Sequence, residues 1–424
     1  MAHVLKTLPQ AFHRGEHLGI TSVCSAHPVV IEAALQLALD TGKPALIEAT
    51  CNQVNQDGGY TGMTPMDFRH FVEAIAAKVG LDPSRIILGG DHLGPNPWKN
   101  LPASEAMAKA EVMIAAFAEA GFTKLHLDTS MGCAGEPQAL ADEETARRAA
   151  QLAMIAERHN KDGNDPVYVI GTEVPVPGGA THALNHLETT RPEAVARTWR
   201  VHRDAFLATG LDDAFSRVIA LVVQPGVEFG HSDIVHFDPQ AAGPLSAVLK
   251  DFEGLVFEAH STDYQTAEGL RQLVAMGFSI LKVGPWLTFA LREALYRLDA
   301  IADILDGQPP ASRLMATMEG IMLSDPANWN SYYSGNAQEQ WIKRHFSLSD
   351  RIRYYWPHPD ASAAVDRVMM RLADREIPPP LLHQYFSEPE MPSSPVFARD
   401  IIKQSVRQVL EQYDKATGNL QIAR

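Results

Sequence analysis

Cysteine is scarce in this chain, positive charge is in deficit, and no apolar stretch approaches the length of a bilayer. The three cysteines, Cys24, Cys51 and Cys133, are odd in number and widely spaced. That excludes a disulfide framework and suits a reducing compartment. A formal net charge of −15 argues against a general nucleic-acid or acidic-membrane binder, since both need basic surface. It leaves room for a phosphorylated ligand, for which a nest of N–H groups or one or two cations suffices. The most apolar stretch, residues 106–120, is broken by Lys109, Glu111 and Glu119. The first ten residues hold no continuous apolar core of signal-peptide length. A cytoplasmic protein is expected, with no membrane and no nucleic-acid partner.

Short catalytic motifs are missing too. No glycine fingerprint follows the first predicted strand, which argues against a dinucleotide fold and an open doubly wound sheet. No G-x-x-x-x-G-K-[ST] loop occurs, so P-loop phosphoryl transfer is unsupported and no nucleotide cofactor is expected. A G-x-S-x-G elbow is absent, which disfavours an α/β-hydrolase. Without C-x-x-C or H-E-x-x-H, any metal site must be assembled from distant parts of the chain.

What the chain does hold is a rhythm. Apolar runs at 17–24, 44–48, 85–90, 123–128, 166–173, 217–224, 254–260 and 278–283 are rich in Val, Ile and Leu and barely alternate. That is how parallel strands covered on both faces read. Between them lie helical patterns, clearest at 29–39, 66–79, 104–120, 142–159, 192–208 and 267–276, after an opening helix at 4–15. Ser25 suits an N-cap before Pro28, and Gly42 stops the helix that follows. Eight strand–helix units over roughly 290 residues predict an α/β fold, a (β/α)8 TIM barrel. A last helical pattern at 288–305 completes it. The expected division is a barrel over residues 1–307 and a helical C-terminal extension over 308–424. Trp329, Tyr332, Tyr333, Trp341, Phe346, Tyr354, Tyr355 and Trp356 make that tail too apolar for a linker, so it should pack near the barrel mouth or at a subunit contact.

Such barrels work at the C-terminal ends of their strands, and here those ends are polar. Gly89-Gly-Asp-His-Leu-Gly-Pro-Asn96 ends the third strand, pairing the acid/base group Asp91 with His92, a neutral-imidazole metal ligand. Glu258 and His260, two apart in Phe257-Glu-Ala-His-Ser-Thr-Asp263, can share one face of an extended segment and grip one cation. Asp263 or Ser261 is expected to cap the next helix. Glu173, beside prolines after the fifth strand, suits a general base or ligand, or else a structural ion pair. Asn52 and Gln53 lie in an amide-rich loop suited to hydroxyl-bearing ligands, or simply in a turn. Gln224 and Glu228 follow the sixth strand. Lys282 reads as a phosphate cation or, if desolvated, a Schiff-base lysine. Arg351 and Arg353 can add positive charge from the tail.

Longer strings carry a resemblance. Gly19-Ile-Thr-Ser-Val-Cys-Ser-Ala-His-Pro28, Ile47-Glu-Ala-Thr-Cys-Asn-Gln-Val-Asn-Gln56 and Gly89-Gly-Asp-His-Leu-Gly-Pro-Asn-Pro-Trp98 lie in the first hundred residues. Leu125-His-Leu-Asp-Thr-Ser-Met131, Phe257-Glu-Ala-His-Ser-Thr-Asp263, Leu281-Lys-Val-Gly-Pro-Trp286 and Ser349-Asp-Arg-Ile-Arg-Tyr-Tyr355 follow. With them the chain closely resembles the accessory, non-catalytic (Z-type) subunit family of class II D-tagatose-1,6-bisphosphate aldolase. The resemblance implies a barrel laid out like the class II aldolases. Asp91-His92 then looks like their catalytic aspartate followed by a zinc-binding histidine. Glu258 stands where they place another zinc histidine, and their sixth-strand histidine is replaced around Gln224-Pro225.

The family holds two roles. One is an accessory subunit that stabilises a class II aldolase catalytic subunit as its partner. The other is C4 epimerisation of a ketohexose phosphate, D-tagatose 6-phosphate to D-fructose 6-phosphate. Some members are labelled tagatose 6-phosphate kinase, for which no nucleotide motif is present. Acids, imidazoles and a lysine converging in one cavity bring no folding benefit, which favours an activity. The expected chemistry is metal-dependent retro-aldol cleavage and re-addition. His92, Glu258 and His260 are the expected ligands of a divalent metal, zinc or manganese. Asp91, Glu173 and Asp128 form the expected catalytic set, and Glu48, Asn52, Gln53, Gln224, Ser261, Lys282 and Gly284 the expected substrate-binding set. A homo-oligomer is expected.

Overall fold

The computed structural model describes residues 4–160, 165–172, 187–386 and 396–421. Eight strands close into a parallel barrel: β1 (Ile20–Cys24), β2 (Ala45–Thr50), β3 (Ile86–Leu93), β4 (Lys124–Leu127), β5 (Val167–Ile170), β6 (Val218–Val223), β9 (Val256–Ala259) and β10 (Ile280–Val283). Closure comes from β1 pairing with β10, Ile20 opposite Ile280 and Val23 opposite Val283. A small antiparallel pair, β7 (Glu228–Phe229) and β8 (Ile234–Val235), interrupts the rhythm after β6.

Helices α1 (Thr7–His13), α2 (Pro28–Thr41), α3 (Pro65–Val79), α4 (Ala103–Glu119), α5 (Asp142–His159) and α6 (Pro192–Ala208) match the helical patterns closely. They are followed by α7 (Asp212–Phe215), α8 (Pro239–Ala247), α9 (Ala267–Ala275) and α10 (Pro285–Leu305). Helix α8 was hidden by its own composition, since Gly243 and Pro244 are poor helix formers. The N-cap of α2 is His27 rather than Ser25. The His27 ring accepts from the Val29 N–H, while Ser25 Oγ accepts from the His27 N–H. Likewise Thr266, not Ser261 or Asp263, caps α9.

The strands are buried on both faces, as their lack of alternation requires. Inside the barrel, Ile20, Leu46, Ile87, Ile219 and Ile280 make an apolar layer near the strand N-termini, where Val4, Leu5 and Leu8 plug the end. Above it the inward side chains become charged, which marks the opposite end as the working face.

Beyond the barrel the chain is helical: α11 (Arg313–Ser324), α12 (Ala337–Phe346), α13 (Pro359–Leu372), α14 (Pro379–Tyr385) and α15 (Ala398–Ala416). Helix α15 returns along the barrel wall against α2, α9 and α10. Tyr413 donates to the Thr262 carbonyl at 2.7 Å, and the Thr417 carbonyl accepts from the Gly19 N–H at 2.9 Å. A single 3-10 turn, Arg351–Tyr355, brings Arg353 and Tyr354 to the mouth.

On the outer layer, His202 of α6 is fully buried, with Nδ1 on the Thr198 carbonyl and Nε2 without a partner among the described residues. Burial pushes this imidazole down to about 4 from its ordinary 6.5. The unfolded chain therefore binds the proton first, so stability falls as pH drops from 6.5 towards 4. His202→Leu should flatten that slope in urea unfolding measured across the same pH range, by on the order of 3 kcal/mol.

Candidate active site at the barrel mouth

The floor of the mouth is a closed set of buried charges. Lys124 of β4 lies 2.7 Å from Glu48 Oε1 on β2 and 2.7 Å from Glu258 Oε2 on β9. Lys282 of β10 donates to the other oxygen of Glu48 and sits 2.9 Å from Asp91 Oδ2. Glu48 reaches the barrel axis because Gly89, its neighbour on β3, has no side chain. A Cβ there would stand 2.6 Å from Glu48 Cγ. Burial opposes the charge on Lys282, but Asp91, Cys24 and Glu48 around it hold its ammonium well above the usual range. Lys124 is raised for a similar reason, by Glu258 and Glu48 against burial.

A histidine layer lies over this floor. Strand β3 runs three residues past its predicted end, so Asp91 and His92 are still in the strand. Its register against β4 shifts between Gly90 and Leu93, and His92 takes φ 50°. Such an irregularity re-aims side chains. Asp91 Oδ1 meets His126 Nδ1 at 2.8 Å, while His92 Nδ1 meets Asp128 Oδ2 at 2.8 Å. Asp128 is also held by the Ser130 hydroxyl at 2.8 Å. Burial would raise Asp128, but these partners bring it down to about 2. His260 Nε2 lies 3.1 Å from Glu258 Oε1, and burial pushes His260 down to about 4.

Ligand atoms of Asp91, His126, Glu258 and His260 all lie within 4.8 Å of one another. His126 Nδ1 lies 2.8 Å from Asp91 Oδ1 and 3.2 Å from the His92 backbone nitrogen, and its buried Nε2 has no partner among the described residues. A carboxylate-oriented imidazole of this kind is how proteins present a histidine to a metal. Nitrogen and oxygen donors in this number suit a divalent cation. Asp91, Glu48, Glu258 and Asp128 outnumber Lys124 and Lys282, so the floor also carries excess negative charge to balance it.

The expected residues fall into three groups. Asn52, Gln53, Asp91, His92, Ser261, Lys282 and Gly284 line one cavity of about 90 Å³, together with His260. Glu48, Glu258 and Asp128 sit beneath or behind it, as partners of the groups that line it. Gln224 is turned away: its Oε1 accepts from the Gly226 and Val227 N–H groups at 2.8 and 3.0 Å, so it shapes a turn. Glu173 lies outside the described residues. His126 converges with Asp91, Glu258 and His260, while His92, an expected ligand, has its Nδ1 on Asp128 and lines the cavity beside them. Lys282, expected as a phosphate cation, lines the cavity with its ammonium on Glu48 and Asp91 of the floor.

Lys124 and His126 join the site beyond the residues expected there. Their signal was present in Thr123 to Asp128, where two polar residues alternate with Leu125 and Leu127 and period 2 turns both inward. Its place before a helical pattern predicts Asp263 as a cap. Its Oδ1 instead accepts from the Gly284 and Trp286 N–H groups at 3.1 and 2.8 Å, at the start of α10. It lines the cavity, and burial pushes it up to about 6.

Comparison with known proteins bears on this site. The D-tagatose-1,6-bisphosphate aldolase subunit GatZ/KbaZ-like family matches residues 5–418. D-tagatose 6-phosphate 4-epimerase from Agrobacterium fabrum is 52% identical over 423 residues, 99% of each chain. D-tagatose-1,6-bisphosphate aldolase subunit GatZ from Salmonella enteritidis is 50% identical over 383 residues, 90% of each chain. A crystal structure of a probable tagatose 6 phosphate kinase from Sinorhizobium meliloti superposes with a TM-score of 0.86 at 56% identity. It covers 94% of this chain and 100% of that one.

Two outcomes follow from the geometry. Lys124→Met removes one of the two buried cations that face Glu48 and Glu258 and should cost about 3–5 kcal/mol in denaturant unfolding. His126→Asn should lower bound zinc or manganese, measured by elemental analysis after gel filtration, more than His92→Asn does.

Proposed function

This chain belongs to the D-tagatose-1,6-bisphosphate aldolase subunit GatZ/KbaZ-like family, and from that premise we propose that it is a ketohexose-phosphate C4-epimerase. Its substrate would be D-tagatose 6-phosphate and its product D-fructose 6-phosphate, as in the name of the Agrobacterium relative. The observation that carries the reading is the convergence of Asp91, His126, Glu258 and His260 under a polar cavity. Burying such groups costs stability, and an accessory barrel has no need of them.

Inversion at C4 proceeds here by cleavage of the C3–C4 bond and its re-formation on the other face of the aldehyde. The C4 hydroxyl proton leaves as that bond breaks and returns when it re-forms. Asp263 suits this exchange: its carboxyl lines the cavity, its position near 6 lies close to neutrality, and Oδ1 is fixed by two backbone N–H groups. Asp91, held ionised by His92, Lys282 and His126 against the effect of burial, orients His126 through Nδ1. Asp91, His126, Glu258 and His260 are the residues that would hold a divalent cation. When bound there, zinc or manganese supplies Lewis-acid polarisation of the C2 carbonyl. Asn52 and Gln53 offer amides to the sugar hydroxyls from the cavity wall.

The accessory role remains the second reading, favoured by the GatZ relatives described as aldolase subunits. The two separate cleanly. Purified protein with zinc or manganese should convert D-tagatose 6-phosphate to D-fructose 6-phosphate, followed by NMR, and a chelator should stop it. Asp263→Asn should lower kcat by about 10²–10⁴ with the metal content retained. A folded, metal-loaded protein that is silent alone but raises the activity of a catalytic aldolase subunit would establish the accessory role instead.

A further inference from the structure

The mouth has a second lobe. Cys24, Gln53, Tyr60 and Arg353 line both the inner cavity and an outer one of about 220 Å³, larger than the inner 90 Å³. The outer lobe is closed by Ser25, His27 and Pro28 at the start of α2 and by Trp356 and Ser362 of the tail. The two lobes differ in charge. Asp91 and Asp263 line the inner one, whereas no described carboxylate lines the outer one. In a chain of net charge −15, that is a local reversal.

Arg353 is the cation on the shared wall, and it differs from the lysines of the floor. Lys124 and Lys282 each face two or more carboxylates, but Arg353 makes no ion pair among the described residues. Of the two carboxylates near enough to act on it, Asp350 is occupied by Thr288 and Arg292, and Asp263 makes no ion pair with it and is held by the Gly284 and Trp286 N–H groups. The Arg353 guanidinium is held in place by neutral groups. Nη1 donates to the Ser349 and Asp350 carbonyls, and Nη2 to the Tyr354 hydroxyl at 2.9 Å. The Tyr354 ring lies 4.4 Å from its centre and packs edge-on against Tyr60. Nε–H and one N–H of Nη2 remain to be offered. A positioned, largely desolvated guanidinium with no counter-ion is a binding group for a phosphate or carboxylate. The positive end of α2, fourteen residues long, faces the same lobe.

We infer that the outer lobe is the phosphate subsite of this enzyme and that Arg353, a residue of the tail, is its anchor. The assignment rests on the retro-aldol reading above and adds a consequence to it. Cleavage between C3 and C4 leaves the 6-phosphate on the three-carbon aldehyde. An anchor at Arg353 holds that fragment by its phosphate while its carbonyl end turns over within the inner lobe. The same contact thus confers preference for a phosphorylated ketose and retains the fragment between the two bond events.

The test uses the whole chain and three readouts. Calorimetry with inorganic phosphate reports the subsite without any turnover. The ratio of kcat/KM for D-tagatose 6-phosphate to that for free D-tagatose reports selectivity, and released triose phosphate per epimer formed reports retention. Arg353→Gln should weaken phosphate binding and lower the selectivity ratio by about 10–100-fold, with more triose phosphate escaping. Arg353→Lys keeps the charge without the fork, should fall between, and serves if the glutamine variant does not fold. Phosphate binding that is absent in the unaltered protein, or equal in the unaltered and the folded variant proteins, overturns the assignment. If phosphate binds through Arg353 but no ketose turns over, the subsite stands and the epimerase reading falls.

Discussion

Five charged side chains buried in one barrel set the terms for everything above them. Glu48, Lys124, Glu258, Lys282 and Asp91 come from five different strands, and each is compensated only by its neighbours. Taking an isolated charge out of water costs several kcal/mol even after relaxation, so none of these residues is tolerable alone. The set must be complete or absent. It also explains Gly89, whose missing side chain gives Glu48 its room, and it holds Asp91 as a carboxylate beside His126.

The layers of the barrel then have separate duties. Apolar side chains and the α1 plug close the strand N-termini. The charged floor turns the middle of the barrel into a polar platform with excess negative charge. Histidines above it are kept from protonation by burial or bound to a carboxylate, according to position: His260 is pushed down to about 4, whereas His92 is raised because Asp91 and Asp128 outweigh burial. Neutral imidazoles and ionised carboxylates are the forms that bind a divalent cation, so floor and ligands serve one end.

The tail belongs to the site as much as the strands do. Its 3-10 turn delivers Arg353 and Tyr354 to the wall, and α15 ties the chain end back to Thr262 and Gly19 near two barrel strands. Asp263 links strand and helix in the same way, bridging the loop after β9 to the start of α10. Inner lobe, outer lobe and their shared wall are therefore parts of one packed unit.

Much of this was legible in the residues alone. Strand order, the helix starts at Pro28 and Pro192, and the mouth as the working end follow from periodicity and turn chemistry, which act over a few residues. The placement of Asp91, Ser261, Lys282 and the Asn52–Gln53 pair at that mouth follows from the same local rules, because a strand end in a closed barrel has one destination. The family resemblance carried by the longer strings was equally readable. What local pattern could not decide was which charge meets which. Lys282 looked like a free cation until Glu48, 234 residues away, was found against it. His126 stood outside the expected ligand set until the fold placed its ring beside Asp91, Glu258 and His260. Arg353 was one of two tail arginines until the packing left it without a counter-ion. Periodicity is a property of neighbours in the chain, whereas charge compensation is a property of neighbours in space, and only the folded barrel brings the latter together.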